Sequence, residues 1–226
     1  MRLWRDGADV SSVDDFMSPA EQAELEARVR AELRRGSLSV AEVTELHQTT
    51  VRFERSWLRA HPVYLEHVAA LVEREREALA KEMESWPAET DCDRLSRVFA
   101  QLNEEGVVAL ECCGISVYDG GAACGEELDR RLDSGEWSEA PATQKWVFYH
   151  SQDLDHVFED RALSLAYGAV DAETGASEPE ASRSLAKRVI ELLEQEGLSV
   201  KWSGAPDERL VVEDIDWRRR KPLQRS

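Results

Sequence analysis

"WVFYHSQDLDH", residues 146–156, passes from an apolar run to a polar segment within a few positions. The apolar run predicts a β-strand that ends at His150, and the polar residues predict the first turn of a helix. Ser151 is a candidate N-cap, and Asp153 would lie in the first turn, where the helix dipole favours a negative charge. The stretch therefore predicts a strand that leads directly into a helix.

Strands and helices alternate on both sides of this stretch. β-rich runs at 107–115, 145–150 and 162–168 are separated by helical patterns, and a clear helix, "SLAKRVIELLEQEG", follows the third run. "LSVKW" and "ERLVVE" then predict an antiparallel hairpin, because their short connection cannot make a parallel crossover. From residue 89 the order is α-β-α-β-α-β-α-β-β, which predicts an α+β domain with helices packed on a mixed β-sheet.

The residues before this domain predict helices alone. Ser18 with Glu21 and Ser39 with Glu42 have the spacing of capping boxes, and they predict the starts of two helices, the second running to about residue 60. An apolar stripe predicts a third helix from about Val63 to Ser85. The predicted organisation is a helical N-terminal region (1–88), a mixed-sheet domain (89–217) and a basic C-terminal tail (218–226).

The charge of the chain is strongly negative. The 226 residues carry 46 Asp and Glu against 28 Lys and Arg, which gives a formal net charge of −18. A surface this acidic repels phosphate backbones, so we expect no nucleic-acid partner. The tail from Trp217 has five basic residues and no acidic one. It is expected either to meet acidic side chains of the same chain, to stay solvated or to contact an anionic partner.

Composition also bears on the compartment. No apolar run approaches the length of a membrane span, and the first ten residues lack the apolar core of a secretion signal. Four cysteines in a chain of this size suggest reduced thiols. We therefore expect a cytoplasmic protein with no membrane partner.

Two interpretations of the polar residues after the strand stay open. In one, His150, Gln152 and Asp153 close backbone groups at the strand-to-helix turn. In the other, His150 and Asp153 are a base and its orienting acid, facing a cleft beyond the carboxyl end of the strand. Cys112 and Cys113 are adjacent on a predicted strand and point to opposite faces. Cys113 would be a nucleophile if it meets His150.

The segment "SVYDGGAACG", residues 116–125, is predicted to be a flexible turn in which Asp119-Gly120 supplies a positive φ. It lacks the lysine and glycine spacing of phosphate-binding loops, so no cofactor is predicted. Because it follows a strand, as His150 does, we predict a binding site formed by Tyr118, Asp119, His150 and Gln152. The cysteines at 92, 112, 113 and 124 lack the paired spacing of zinc sites, so no metal is predicted.

From Trp86 onward the chain resembles a family of uncharacterised bacterial proteins that share a domain of unknown function. The resemblance is carried by "WPAETDCDRLSRVFAQLNEEGVVAL", "DGG", "VFYHSQDLDHVF", "LSLAYG" and "GLSVKWSGAPDERLVVEDIDWRRR". The chain departs from the family pattern at "ECCGISVYDGG", where similar proteins carry a cysteine-free version, which puts a catalytic role of Cys112 or Cys113 in doubt. The resemblance implies a compact C-terminal domain and brings no activity with it.

Two functions follow from these patterns as hypotheses. The first is a cytoplasmic, non-enzymatic binding or protein-interaction protein whose acidic surface recognises a basic protein partner. Its N-terminal helices would pack on the domain or pair two copies into a homo-oligomer. The alternative is a small hydrolase-type enzyme that uses His150 and Asp153, together with Cys113.

Overall fold

A computed structural model describes residues 12–51 and 53–220. Within these residues the chain forms two compact units, residues 12–85 and 86–219. The start of the chain and the end of the basic tail, residues 221–226, lie outside the described residues. None of the described helices combines the length and the apolar character that crossing a bilayer requires.

The first unit is helical. Its α-helices are α1 (Pro19–Arg35), α2 (Val40–Thr49) and α3 (Pro62–Met83), with short 3-10 segments at Val13–Asp15 and Phe53–Ala60. The two predicted capping boxes are present at the starts of α1 and α2. The second helix was predicted to run to about residue 60, but α2 ends at Thr49. The β-branched residues Thr49, Thr50 and Val51 are poor helix formers, and they account for this early end.

A buried core holds the three helices of the first unit together. Leu25 and Val29 of α1 pack with Val43 of α2 and Val68 of α3. Such burial stabilises by about 1.5–3 kcal/mol for each large aliphatic side chain. His47 of α2 lies in this interior with only 5% of its surface exposed.

The second unit alternates helices and strands in the predicted order. Its elements are α4 (Asp91–Glu104), β1 (Val108–Leu110), α5 (Val117–Asp133), β2 (Thr143–Phe148), α6 (Asp153–Asp160), β3 (Leu163–Asp171), α7 (Pro179–Gln195), β4 (Ser199–Lys201) and β5 (Leu210–Glu213). The strands form one sheet in the order β1-β2-β3-β5-β4. β1 and β2 are parallel, and the other neighbouring pairs are antiparallel. The prediction of an α+β fold with a mixed sheet is confirmed.

Apolar side chains cover both faces of this sheet. On one face Phe148 of β2 packs with Cys124 and Leu128 of α5. On the other face Val147 of β2 packs with residues of α4 and α7, including Leu95 and Val189. Successive residues of a strand point to opposite faces, so the alternation along β2 places helices on both sides of the sheet.

The amide of Asn103, at the end of α4, is bonded to the backbone of β1. Its Nδ2 atom donates to the carbonyl of Ala109 at 2.9 Å, and its Oδ1 atom accepts from the Ala109 N–H at 3.0 Å. Oδ1 also accepts from Arg131 of α5 at 2.6 Å. The Asn103 side chain therefore connects α4 and α5 to the middle residue of β1, the shorter of the two parallel strands.

Two local predictions were wrong. The β-rich run at 107–115 forms a strand only over Val108–Leu110, and Cys112 adopts a left-handed conformation with φ of 52°. The glycine-rich segment 116–125 is not a flexible turn, because α5 begins at Val117. The helix starts there because Ser116 and Asp119 form a capping box.

Candidate functional site

The carboxyl ends of the two parallel strands bring two of the predicted segments together. The residues after β1 run beside those after β2: the Cys113 N–H donates to the Tyr149 carbonyl at 3.0 Å, and the Ser151 N–H donates to the Gly114 carbonyl at 3.2 Å. This edge is where ligands commonly bind in sheets with parallel strands. The structure therefore places residues 113–114 beside residues 149–151.

Asp153 is the most highly connected group at this edge, although only 3% of its surface is exposed. Its Oδ2 atom accepts from the backbone N–H of His150 at 2.9 Å. Arg209, just before β5, donates to both carboxylate oxygens, at 2.8 and 2.7 Å. The same guanidinium donates to the carbonyl of Ser164 in β3 at 2.8 Å. Asp153 thus links the turn after β2 to the residue before β5 through a bidentate arginine contact.

His150 lies beside this pair with 6% of its surface exposed. Its Nδ1 atom is 3.2 Å from Oδ2 of Asp153, but the contact lacks hydrogen-bond geometry and Nδ1 has no hydrogen-bond partner. Burial lowers the pKa of His150, and Arg209 lowers it further, while Asp153 and Asp119 act in the opposite direction. The net effect of these surroundings favours the neutral form of the imidazole.

The remaining predicted site residues lie at the same edge but have separate roles. The Asp119 carboxylate accepts from the Ser116 hydroxyl at 2.8 Å, from the Ser116 N–H at 3.0 Å and from the Ile115 N–H at 3.3 Å, and these bonds lower its pKa. The side chain of Tyr118 points into solvent, with 86% of its surface exposed. Gln152, rather than the predicted Ser151, occupies the N-cap position of α6, and its side chain makes no capping hydrogen bond.

The cysteines differ in their surroundings. Cys92 and Cys124 are buried, Cys112 and Cys113 are partly exposed, and all four are free thiols. Cys112 and Cys113 were predicted to lie on a strand, but they lie in the loop between β1 and α5. The Cys113 thiol lies 4.0 Å from the Gly120 carbonyl, and Cys113 packs against the apolar cluster that includes Cys124. Its observed partners are therefore on α5.

A second buried ion pair lies at the carboxyl end of β1, and it involves a residue that the sequence analysis assigned to the basic tail. Arg219 is buried, donates to Glu111 and lies 3.3 Å from the hydroxyl of Tyr149. Its guanidinium also covers the ring of Trp217 at 5.1 Å. Burial raises the pKa of Tyr149 well above its usual value. Arg219 therefore fastens the end of the described chain to the sheet.

One set of side chains in the described part of the chain has the spacing of metal ligands. The ligand atoms of His156, Glu159 and Asp160 on α6 lie within 4.8 Å of one another, and all three residues are exposed. Exposed acidic groups commonly meet in this way without a metal ion, so the cluster by itself does not define a site.

Comparison with known families gives one result. The family described as "Domain of unknown function (DUF6891)" matches residues 18–221. The chain belongs to the DUF6891 family. No curated protein and no solved structure matches the chain significantly.

The DUF6891 match extends over both units of the structure. It begins at the N-cap of α1, Ser18, and continues past Arg219. The resemblance to a domain of unknown function is confirmed, and the family includes the helical unit as well as the sheet unit.

Proposed function

We propose that this chain is a non-enzymatic, cytoplasmic protein-binding protein that recognises a basic protein segment through the start of α5. The observation that carries the proposal is an exposed apolar surface formed by Ile115, Val117 and Tyr118, which we call the α5-start surface. These side chains are 64%, 47% and 86% exposed. Exposed apolar groups of this kind mark interaction sites, and tyrosine is enriched among residues that dominate binding energy.

The backbone beneath the α5-start surface is held in place before any partner arrives. Gly114 has a φ of 70°, which favours glycine, and Asp119 closes the N–H groups of Ile115 and Ser116. Gly120 packs directly on the ring of Phe148. A surface that is already ordered loses little conformational entropy on binding. Most of the free energy of its apolar contacts therefore contributes to affinity.

The charge around this surface favours a basic partner. Residues 104–160 carry 14 Asp and Glu against 3 Lys and Arg. Two of those three cations, Arg130 and Arg131, are already paired with Glu127. An acid-rich chain segment that carries an apolar surface would steer lysine- and arginine-rich segments towards it and disfavour acidic ones.

The hydrolase hypothesis has less support from the geometry. A triad acid orients its histidine, but Asp153 uses both oxygens on Arg209 and does not hydrogen-bond the His150 ring. The partners of Cys113 are on α5, and the groups that act on the His150 pKa are Asp153, Arg209 and Asp119. The free thiols fit the reducing cytoplasm.

Selection from a phage-displayed library of random peptides, with the full chain as bait at low salt, tests the proposal. We expect the enriched peptides to combine a net positive charge with aliphatic or aromatic residues. Their binding to the Ile115→Ser/Tyr118→Ser variant should be weaker by at least about tenfold. Val40→Ser is the matched control, because it makes the same apolar-to-polar change at an exposed position in the first unit.

Two outcomes would overturn the proposal. One is enrichment of acidic or uncharged peptides. The other is binding by the Ile115→Ser/Tyr118→Ser variant that equals binding by the Val40→Ser control. Circular dichroism of both variants establishes that any loss of binding does not reflect unfolding.

A further inference from the structure

Two of the four cysteines are neighbours in space. Cys113 lies in the loop after β1, and Cys124 lies in α5, four residues after Gly120. Cys113 packs against the apolar cluster beneath α5 that includes Cys124. The Cys113 sulfur lies 4.0 Å from the carbonyl of Gly120, one helical turn before Cys124. The two cysteines therefore share one cluster on the face of the helix that carries Gly120.

The backbone on both sides of this contact is fixed. The Cys113 N–H donates to Tyr149 at 3.0 Å, which attaches the loop to the residues after β2. A Cβ atom on Gly120 would lie 2.1 Å from the Phe148 ring, so α5 approaches the sheet as closely as glycine allows. The loop and the helix that carry the two thiols are thus held in fixed positions, which favours an intramolecular reaction between them.

The two cysteines differ in access to solvent. Cys113 is partly exposed, whereas Cys124 is buried. Contact with Cys113 and burial together raise the pKa of the Cys124 thiol, so Cys124 retains its proton. An oxidant in solution therefore reaches Cys113 first and finds Cys124 behind it, the arrangement of a reactive cysteine beside a resolving one.

We propose that Cys113 and Cys124 form a peroxide-sensitive site that closes to a disulfide between the β1–α5 loop and α5. The Cys113 thiolate attacks one oxygen of a hydroperoxide; an S–O bond forms, the O–O bond breaks, and hydroxide leaves and is protonated to water. The Cys124 sulfur then attacks the sulfenic sulfur of Cys113. The S–S bond forms, the S–O bond breaks, and the hydroxyl leaves as water with the Cys124 proton. In sum, two thiols and one hydrogen peroxide give one disulfide and two waters.

The site does not depend on the proposed partner binding, but Cys113 is two residues from Ile115 and five from Tyr118 of the α5-start surface. The disulfide would tie the loop that carries this surface to the helix covalently. Oxidation would therefore reduce hydrogen exchange of the 112–120 segment.

The test treats the full chain with hydrogen peroxide, denatures it, labels it with N-ethylmaleimide and measures its intact mass. The reduced chain has 4 cysteines to label, and we expect the treated chain to lose two of the labels. Proteolysis before Asp119 separates Cys113 from Cys124, so the two peptides should stay joined until a reductant is added. Cys112→Ser is the matched control at the adjacent position and should still form the disulfide.

The variants of the pair sharpen the result. In the Cys113→Ser variant, N-ethylmaleimide should label every remaining cysteine after peroxide treatment. Cys124→Ala should leave a sulfenic acid on Cys113 that reacts with dimedone. A treated wild-type chain that keeps all its labels, a disulfide that contains Cys92 or Cys112, or loss of the disulfide in Cys112→Ser would overturn the proposal.

Discussion

At the scale of single residues, Asp153 connects more distant parts of the chain than its place in a polar turn indicated. One of the two interpretations of the sequence paired His150 with Asp153, and their side chains lie 3.2 Å apart. Arg209 was missed, because it lies 56 residues further along the chain and has no local signal. Local patterns can identify a capping carboxylate, but the arginine that neutralises it is brought there by strand pairing between β3 and β5.

Replacing Asp153 by alanine should destabilise the protein. The change leaves the His150 N–H without its acceptor and the Arg209 guanidinium without its carboxylate partner, and breaking a buried ion pair in this way costs about 3–5 kcal/mol. Because the Arg209 side chain is 31% exposed, we expect the lower end of that range. Urea unfolding measures the loss, with the exposed Asp160→Ala as the control.

The matching double variant separates the pair from its surroundings. Asp153→Ala combined with Arg209→Met should be less destabilised than the sum of the single changes, by about 1–3 kcal/mol. Strict additivity, or an Asp153→Ala variant as stable as Asp160→Ala, would contradict the structural role assigned to this carboxylate.

At the scale of elements, α5 shows where sequence patterns mislead. Three glycines within the first half of the helix suggested a flexible turn. The signal for the helix was nevertheless present, because Ser116 and Asp119 have capping-box spacing. What no local pattern supplied is the reason for Gly120, which is close contact with an aromatic ring of β2.

The glycines of α5 should respond to alanine in opposite directions. A Cβ on Gly120 would lie 2.1 Å from the Phe148 ring. Gly120→Ala should therefore destabilise by about 1–3 kcal/mol through overpacking. A Cβ on Gly121 meets nothing within 4 Å, and Gly121→Ala should stabilise by about 0.4–1 kcal/mol through helix propensity. Thermal unfolding of the two variants compares them, and shifts of the same sign would show that packing on Phe148 does not decide the residue at 120.

At the scale of the whole molecule, the alternation of helices and strands was sufficient to predict the fold class, since amphipathic periods identify each element. The position of β3 between β2 and β5 was not predicted. Strand order depends on how whole faces pack, and no short stretch such as Leu163–Asp171 encodes its neighbours. The same applies to Arg219, which a count of basic residues placed in a tail and which is buried against Glu111.

The stability of the whole molecule should fall as the pH is lowered from about 6.5 to about 4. Burial, together with Arg28, lowers the pKa of His47 from 6.5 to about 4. In this window His47 is protonated in the unfolded chain but not in the folded chain. The free energy of unfolding therefore decreases with decreasing pH by up to about 1.4 kcal/mol per pH unit. His150, whose pKa is also lowered, adds in the same direction.

Urea unfolding at pH 7 and pH 5, followed by circular dichroism, measures this dependence. His47→Leu should reduce the dependence to the part that His150 contributes, whereas His156→Gln should leave it unchanged, because the His156 side chain is 63% exposed. An equal slope in the wild type and in His47→Leu would show that the buried imidazole is not its source.

The amide of Asn103 has a consequence for how copies of this protein behave in a crowded solution. An outer strand normally presents free N–H and C=O groups, and these are the template on which a foreign strand assembles into an aggregate. In β1 the outward N–H and C=O of Ala109 are both occupied by one asparagine side chain. β1 is also only three residues long. Asn103 thus makes the hydrogen bonds that a neighbouring strand would make to Ala109, and it protects the β1 edge of the sheet from intermolecular β-pairing.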